Sequence, residues 1–521
     1  MLTTTTATTG TQPSLPPLGL ADVIFPSSAD WQGEGGSTLF SRILGDLKRA
    51  NLSVANRLRS IRHDASFVAG VASELNNLPL VANERCGGWY IDPAALTQRK
   101  KASAYFKSTD GHTGQWKFST RRLNLNLLEV VARDGGCIIV DSTRRGKRMP
   151  DSLSKTVPVW CCVLNRALFP ENPECHALHV PPNVVSDSEK SQMEARLPEF
   201  LKSFQALDID LAPLQKQLTK PLRPLWIAPP QDDDDHNGGG LSRLVVDKVS
   251  EKFYPVVCCT ASSRRVGAGA EELSGTGYVQ GAGDDTENWA LGLTAQIFWQ
   301  HADELLDTPD SDLPDLIKRL VVEFEAGEAN AVSELRSVVR PYLFVGTLSA
   351  GRAALQERNT CVVTLSSSSS SAVMATAATA TATATEPESS WIKSPFHMEV
   401  ALGRSKAASR MLRQALPQIC EFVSRYLMTA ATYPEENKNV AIVCDSGRDL
   451  SVGVALAVYC WCFDASGNLF GSSDDAKAKR GPFIKTAIRV KLGQIMTAVP
   501  DANPSRATLQ SVNSFLMGWR I

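Results

Sequence analysis

Cys137-Ile138-Ile139-Val140-Asp141-Ser142-Thr143-Arg144-Arg145-Gly146-Lys147-Arg148 sets an apolar run directly against a cationic, hydroxyl-rich loop. Residues 137–140 are β-prone and continuous rather than alternating, the pattern of a short strand buried on both faces of a sheet. Asp141 closes that strand. Ligands of open α/β sheets lie beyond the carboxyl ends of the strands. Ser142, Thr143, Arg144, Arg145, Lys147 and Arg148 are therefore candidate ligand contacts, with Ser152, Ser154 and Thr156 further along toward Trp160. Guanidinium groups hold phosphate oxygens in pairs, and hydroxyls and loop N–H groups complete the shell, so the loop suits a ligand with several phosphates. The plainer alternative is a solvated basic surface loop.

At 521 residues the chain is long enough for two or more domains with sizeable cores. Its net charge of −1 hides a local asymmetry: residues 99–148 carry twelve Lys and Arg against four acids. Such a field favours an anionic partner. The twelve cysteines include no CxxC pair and no regular Cys/His spacing, which points away from a disulfide framework or zinc site and toward reduced thiols in a cytoplasmic protein. No secretory signal and no apolar run near eighteen residues is present, so no membrane partner is expected.

Residues 1–36, rich in Thr, Pro and Gly, read as a disordered tail. Leu39, Ile43, Leu47, Leu52, Leu58 and Ile61 then follow helical spacing and lead into Arg62-His63-Asp64. The stretch from Leu80 through Cys86-Gly87-Gly88 to Tyr90 reads as strand, glycine-hinged loop, strand. Further strands are expected at Pro224–Ile227 and Val256–Thr260, and a helix over Trp289–Trp299. Between Tyr105 and Trp116 a polar loop carries Lys107, a backbone-contact candidate, and His112, which is either a general base or a hydrogen-bonding turn residue.

Four blocks carry a family resemblance: Arg62-His63-Asp64-Ala65-Ser66, Glu84-Arg85-Cys86-Gly87-Gly88-Trp89-Tyr90, Lys107-Ser108-Thr109-Asp110-Gly111-His112 and Val140-Asp141-Ser142-Thr143-Arg144-Arg145-Gly146-Lys147. They resemble the initiator tRNA 2′-O-ribosyl phosphate transferases. That resemblance implies an enzyme that moves a 5-phosphoribosyl group from phosphoribosyl diphosphate to the 2′-hydroxyl of adenosine 64 of initiator tRNA, barring it from elongation. A fifth shared stretch, Tyr278 to Trp289, contains Asp284 and Asp285. These are open to two readings: a Mg²⁺ site completed by the diphosphate, or helix capping.

The remaining sequence, Pro341-Tyr342-Leu343-Phe344-Val345-Gly346, Cys361–Leu365, and Ala441 to Ser451 before an apolar helix, resembles a dual-specificity phosphatase, with Asn503–Val512 as its last helix. The expectation is two α/β domains, 37–339 and 340–521, the second interrupted by a Ser/Ala/Thr-rich disordered insert at 366–390. The phosphatase chemistry is broken, because Leu450 stands where that family's loop arginine belongs and Arg448 lies two residues earlier. Cys444, Asp445, Ser446, Gly447, Arg448, Asp449 and Ser451 are instead expected to bind an anion at a helix N-terminus. Within the transferase reading, Asp141 and His112 are candidates for orienting the hydroxyl, and the 142–148 cluster with Lys107 for substrate binding. The alternatives are a phosphatase-like protein and a non-catalytic tRNA binder. A monomer that does not bind DNA is expected.

Overall fold

In a computed structural model the chain folds into two α/β units. The residues described are 52–95, 102–108, 114–144, 146–230, 241–263, 277–328, 334–357, 359–366, 391–403, 406–428, 438–464, 466–470, 483–499 and 502–518. The expected tail, and all of the expected insert except Ser366, lie outside them.

The first unit holds a parallel sheet of β1 (Leu80–Asn83), β2 (Ala102–Ala104), β3 (Cys137–Asp141), β4 (Leu222–Ile227) and β5 (Tyr254–Thr260), in the order β2-β1-β3-β5-β4. Successive side chains of a strand face opposite sides. Cys137 and Ile139 accordingly enter one core while Ile138 and Val140 enter the other, and Val256, Cys258 and Val257, Cys259 divide in the same way. That two-sided burial is what makes the strand sequence uninterrupted rather than alternating, and each fully buried isoleucine contributes about 1.5–3 kcal/mol.

Helix α1 (Val54–Glu74) covers one face, capped where the Ser53 hydroxyl accepts from Asn56 N at 3.3 Å. It runs straight through Arg62-His63-Asp64 rather than ending there. Leu58, Ile61, Ala65, Val68 and Val71 form one buried stripe at helical spacing. The opposite face is covered by α2 (Val157–Leu168) and α3 (Asp187–Gln205). Ser152 and Ser154, read as loop residues, belong to a helical turn, Ser152–Thr156, that feeds α2.

Two other local expectations are corrected. Gly87–Tyr90 is a single 3₁₀ turn rather than a strand. It crosses β3 so closely that a Cβ on Gly87 would lie 2.1 Å from the Val140 carbonyl oxygen. Trp289–Trp299 is not one helix but two short ones, Thr286–Trp289 and Ala295–Gln300, separated where Leu291 and Gly292 take φ of 53° and 93°.

The second unit contains β6 (Arg336–Val339), β7 (Leu343–Thr347), β8 (Thr360–Ser366), β9 (Ile392–Ser394), β10 (His397–Ala401) and β11 (Asn439–Cys444), ordered β6-β7-β11-β8-β10-β9. The four inner strands are parallel and both edges antiparallel. Because β6 pairs with β7, this unit begins ahead of Arg340. Helices α4 (Lys406–Met428), α5 (Leu450–Cys462), α6 (Lys485–Ala498) and α7 (Arg506–Gly518) share its main core with the sheet. Helix α7 starts later than Asn503, after Pro504, where the Ser505 hydroxyl accepts from Thr508 N at 3.1 Å.

The strand order fixes where a ligand belongs. From β1 the first sheet extends to β2 on one side and to β3, β5 and β4 on the other, so the chain reverses direction between β1 and β3. A crevice opens at the carboxyl ends of strands at such a reversal.

Candidate active site

Two strand ends meet in that crevice. Strand β1 delivers Asn83, Glu84 and Arg85, and β3 delivers Asp141. Asp141 is fully buried. Its Oδ1 accepts from Arg85 Nη2 at 3.1 Å, from Cys86 Sγ at 2.9 Å and from Ser142 N at 2.9 Å. Its Oδ2 accepts from Asn83 Nδ2 at 2.7 Å, Arg85 Nε at 3.4 Å and the Ser152 hydroxyl. Asn83 is itself pinned: its Oδ1 accepts from Phe106 N at 2.8 Å and its amide donates to Phe106 O at 3.0 Å. Asp141 thus has no exposed surface, and donors of the chain itself, Arg85 foremost, occupy both its oxygens.

Arg85 also reaches across to the segment 278–285. Its Nη1 lies 3.2 Å from Asp284 Oδ2, so one guanidinium joins two buried carboxylates from distant parts of the chain. Burial works against this charge, and the negative groups beside it, Asp141 and Asp284 among them, more than reverse that, holding its pKa above the ordinary arginine value. Burial also pushes the Cys86 thiol well up, as do Asp141 and Asp284, so Cys86 stays a neutral donor. Two more cations border Asp284. Arg144 lies 3.9 Å from its Oδ2 and pairs with Asp285. Arg57, from α1, donates to Ala282 O at 3.4 Å and lies over the Trp289 ring.

The 278–285 segment is seated on the basic loop by backbone fit. Gly281 has φ of +67°, and a Cβ there would lie 2.7 Å from Thr143 O. Only glycine takes both that conformation and that approach without strain. Gly283 N donates to the Tyr90 hydroxyl at 2.8 Å, and Gln280 spans the loop by accepting from Gly146 N at 2.9 Å and donating to Lys147 O at 2.9 Å. Strand β5 supplies a third strut, the Ser262 hydroxyl donating to Thr143 O at 2.8 Å.

The structure therefore gathers Asp141, Ser142, Thr143, Arg144, Asp284 and Asp285 into one site. Lys147 and Arg148 lie on the same loop, and Lys107 is tied to its far end, where the Thr156 hydroxyl donates to Lys107 O at 2.8 Å. His112 and Arg145 lie outside the described residues. Arg85, Asn83 and Arg57 received no role from the sequence, although Arg85 follows β1 just as Ser142 to Arg148 follow β3. The strand-then-cation pattern was its signal. Trp116, in contrast, is buried and donates to Glu189 at 3.1 Å, so it is not a stacking platform for bases.

Asp284 and Asp285, the candidate Mg²⁺ carboxylates, face guanidinium groups of the chain itself. Both Asp284 oxygens are engaged, Oδ2 by Arg85 and Oδ1 by the Ser142 hydroxyl at 3.5 Å, while Asp285 is paired with Arg144. Among the described residues no group of three or more metal-binding side chains exists, so a Mg²⁺ here would depend on the diphosphate for its remaining ligands. Asp285 does not cap the following helix with its side chain either. Each carboxylate is paired with a guanidinium group.

The Cys444–Ser451 loop, the expected anion site, commits several of its groups to partners within the protein. Cys444 is buried, accepting from Ser451 N at 3.4 Å and lying 3.2 Å from the Ser451 hydroxyl. Two of the loop N–H groups bond within the loop, Gly447 N to Cys444 O at 3.2 Å and Arg448 N to the Ser446 hydroxyl at 3.2 Å. Asp449 faces away, accepting from Ser505 N at 2.8 Å and from the Thr508 hydroxyl at 2.7 Å. Asp445 and Ser446 stay at the exposed lip of the loop. The Arg448 side chain leaves the loop and binds Glu84 of the first unit.

Comparison with known proteins agrees with this two-part organisation. A family model described as the Rit1 N-terminal domain matches residues 47–322, and one described as the Rit1 DUSP-like domain matches 396–516. A Saccharomyces cerevisiae protein named tRNA A64-2′-O-ribosylphosphate transferase is 34% identical over 503 residues, spanning 92% of this chain and 94% of its own length. An uncharacterized Schizosaccharomyces pombe protein is 34% identical over 469 residues, spanning 89% and 94% respectively. No solved structure matches.

Proposed function

The chain belongs to the Rit1 family, and from that membership we propose that it is a tRNA-modifying transferase that places a 5-phosphoribosyl group on the 2′-hydroxyl of adenosine 64 of initiator tRNA. The donor in this reading is phosphoribosyl diphosphate. The 2′-hydroxyl oxygen attacks C1 of the donor ribose, the bond from C1 to the diphosphate oxygen breaks, and diphosphate leaves with the electron pair. The hydroxyl proton passes to a base or to water.

The observation that carries the reading is Arg85, spread between Asp141 and Asp284 at the point where the sheet reverses, with Arg144 and Arg57 alongside. Charge builds on the leaving diphosphate in the transition state, and fixed cations in a part-buried site stabilise it without reorganising. Four N–H groups of Arg85 go to Asp141, Ser142 and Asp284, which leaves one Nη1 hydrogen for a ligand. The exposed cations of the basic loop suit the tRNA backbone, whose binding would weaken with salt as counterions are released. All twelve cysteines are free and buried, which supports a reducing compartment such as the cytoplasm.

The test is incubation of the pure protein with initiator tRNA and phosphoribosyl diphosphate labelled in its 5-phosphate. Label retained in initiator tRNA and absent from an elongator control is the expected result. Intact donor and tRNA with no label transferred would overturn the reading.

A further inference from the structure

The two units meet at a small cleft lined by Glu84, Ser103, Tyr105, Arg122, Arg448 and Asn503 among others. Its floor is the Glu84 carboxylate. Glu84 Oε1 accepts from the Arg448 guanidinium and from the Ser103 hydroxyl at 2.8 Å, and Oε2 accepts from Asn503 Nδ2 at 3.0 Å. Two of these three donors belong to the second unit. They arrive together because Asn503 N bonds to Arg448 O at 2.9 Å, fixing the end of the Cys444–Ser451 loop to the segment before α7.

Glu84 and Arg85 are consecutive in the turn that follows β1, and their side chains go to different partners. One side chain is therefore held by the second unit while the next holds Asp141 and Asp284. The Glu84 backbone is fixed only from the first unit, its N–H donating to Ala104 O at 2.8 Å. The side chains of Glu84 and Arg448 are only 20% and 34% exposed, so the pair is shielded enough to have more weight than a surface ion pair.

We infer that Arg448 is a positioning residue of the transferase site, acting through Glu84 to hold Arg85 in place. The phosphatase-like loop carries an arginine that grips an anion, but the anion is a carboxylate of the neighbouring domain rather than a substrate phosphate. The second unit is on this account required for transfer even though it supplies no group to the reacting atoms. This inference rests on the transferase reading for its kinetic test and on structure alone for its second test.

The experiment compares Arg448→Ala, Glu84→Gln and the charge-reversed double variant Glu84→Arg/Arg448→Glu in the full-length chain. Each single variant should lower kcat about tenfold, a modest displacement of a catalytic group being sufficient for that, and leave the KM for tRNA within about twofold. The reversed pair should regain most of the loss, because the Ser103 hydroxyl and the Asn503 amide can each turn to accept instead of donate. Hydrogen exchange of residues 84–90 should quicken in both single variants, with melting temperatures close to wild type. If Arg448 instead touches a tRNA phosphate, Arg448→Ala will raise the KM for tRNA while Glu84→Gln lowers it, and the inference is wrong. Should the wild-type protein transfer no label, the transferase reading falls, yet unchanged exchange at 84–90 in Arg448→Ala would still be needed to overturn the coupling.

Discussion

The Arg85 guanidinium lies 3.1 Å from the Asp141 carboxylate although 56 residues separate them, and the same guanidinium closes on Asp284 a further 143 residues along the chain. Removing the cation from between two buried acids leaves Asp141 with neutral donors alone and Asp284 with Arg144 at 3.9 Å. Arg85→Ala should lower unfolding free energy by about 3–5 kcal/mol, measured by urea denaturation. Arg85→Lys keeps the charge but not the fork, so it should lose at least tenfold in transfer rate with a smaller stability loss. Equal activity in Arg85→Lys would show that the planar geometry is irrelevant.

Gly281→Ala tests the seating of the 278–285 segment on the basic loop. A Cβ 2.7 Å from Thr143 O, at a φ of +67°, forces the two loops apart. The expected outcome is a large loss of transfer, with a smaller loss of stability than in Gly87→Ala. Gly87→Ala should be worse for stability, by about 3 kcal/mol or more, because the added carbon meets a carbonyl of the central strand. Matched melting curves for the two variants would contradict this ordering.

Cys444→Ser should leave transfer unchanged and the wild type should release no phosphate from p-nitrophenyl phosphate. The thiol is buried, and the loop arginine is committed to Glu84. Phosphate release abolished by Cys444→Ser would restore the hydrolase reading.

Asp285→Asn should not change the Mg²⁺ concentration that gives half-maximal transfer, because the Asp285 carboxylate is paired with Arg144 rather than held for a cation. A large rise in that concentration would assign the carboxylate to the metal after all.

His179 gives a pH signature away from the site. Burial, aided by Arg223 and Lys190, depresses its pKa from 6.5 to about 4. A histidine depressed in the folded state binds its proton more readily when unfolded, so stability is full above about 6.5 and falls as pH drops toward 4. Denaturation midpoints across that range should decline less steeply in His179→Gln than in wild type.

Much of the scaffold was legible without coordinates. The run Cys137–Val140 had to be a strand covered on both faces, since nothing polar interrupts it, and Val256–Thr260 and Ala441–Cys444 followed the same rule. Errors fell where a local pattern had two continuations. The apolar stripe of α1 extended past His63, and the glycines after Cys86 served a close crossing rather than a hinge between strands.

The sequence by itself determined the buried strands, the cationic loop after β3 and the motifs that mark the family, because hydrophobic runs and local charge are properties of neighbouring residues. Only the tertiary structure decided what the charges do. Which acid meets which arginine depends on strand order and on the packing of one unit against the other, and these pairs, Arg85 with Asp284 and Arg448 with Glu84, are separated by 199 and 364 residues. The same physics enclosed Asp141: a carboxylate at a strand end can be exposed or buried, and the sheet that surrounds it makes that choice.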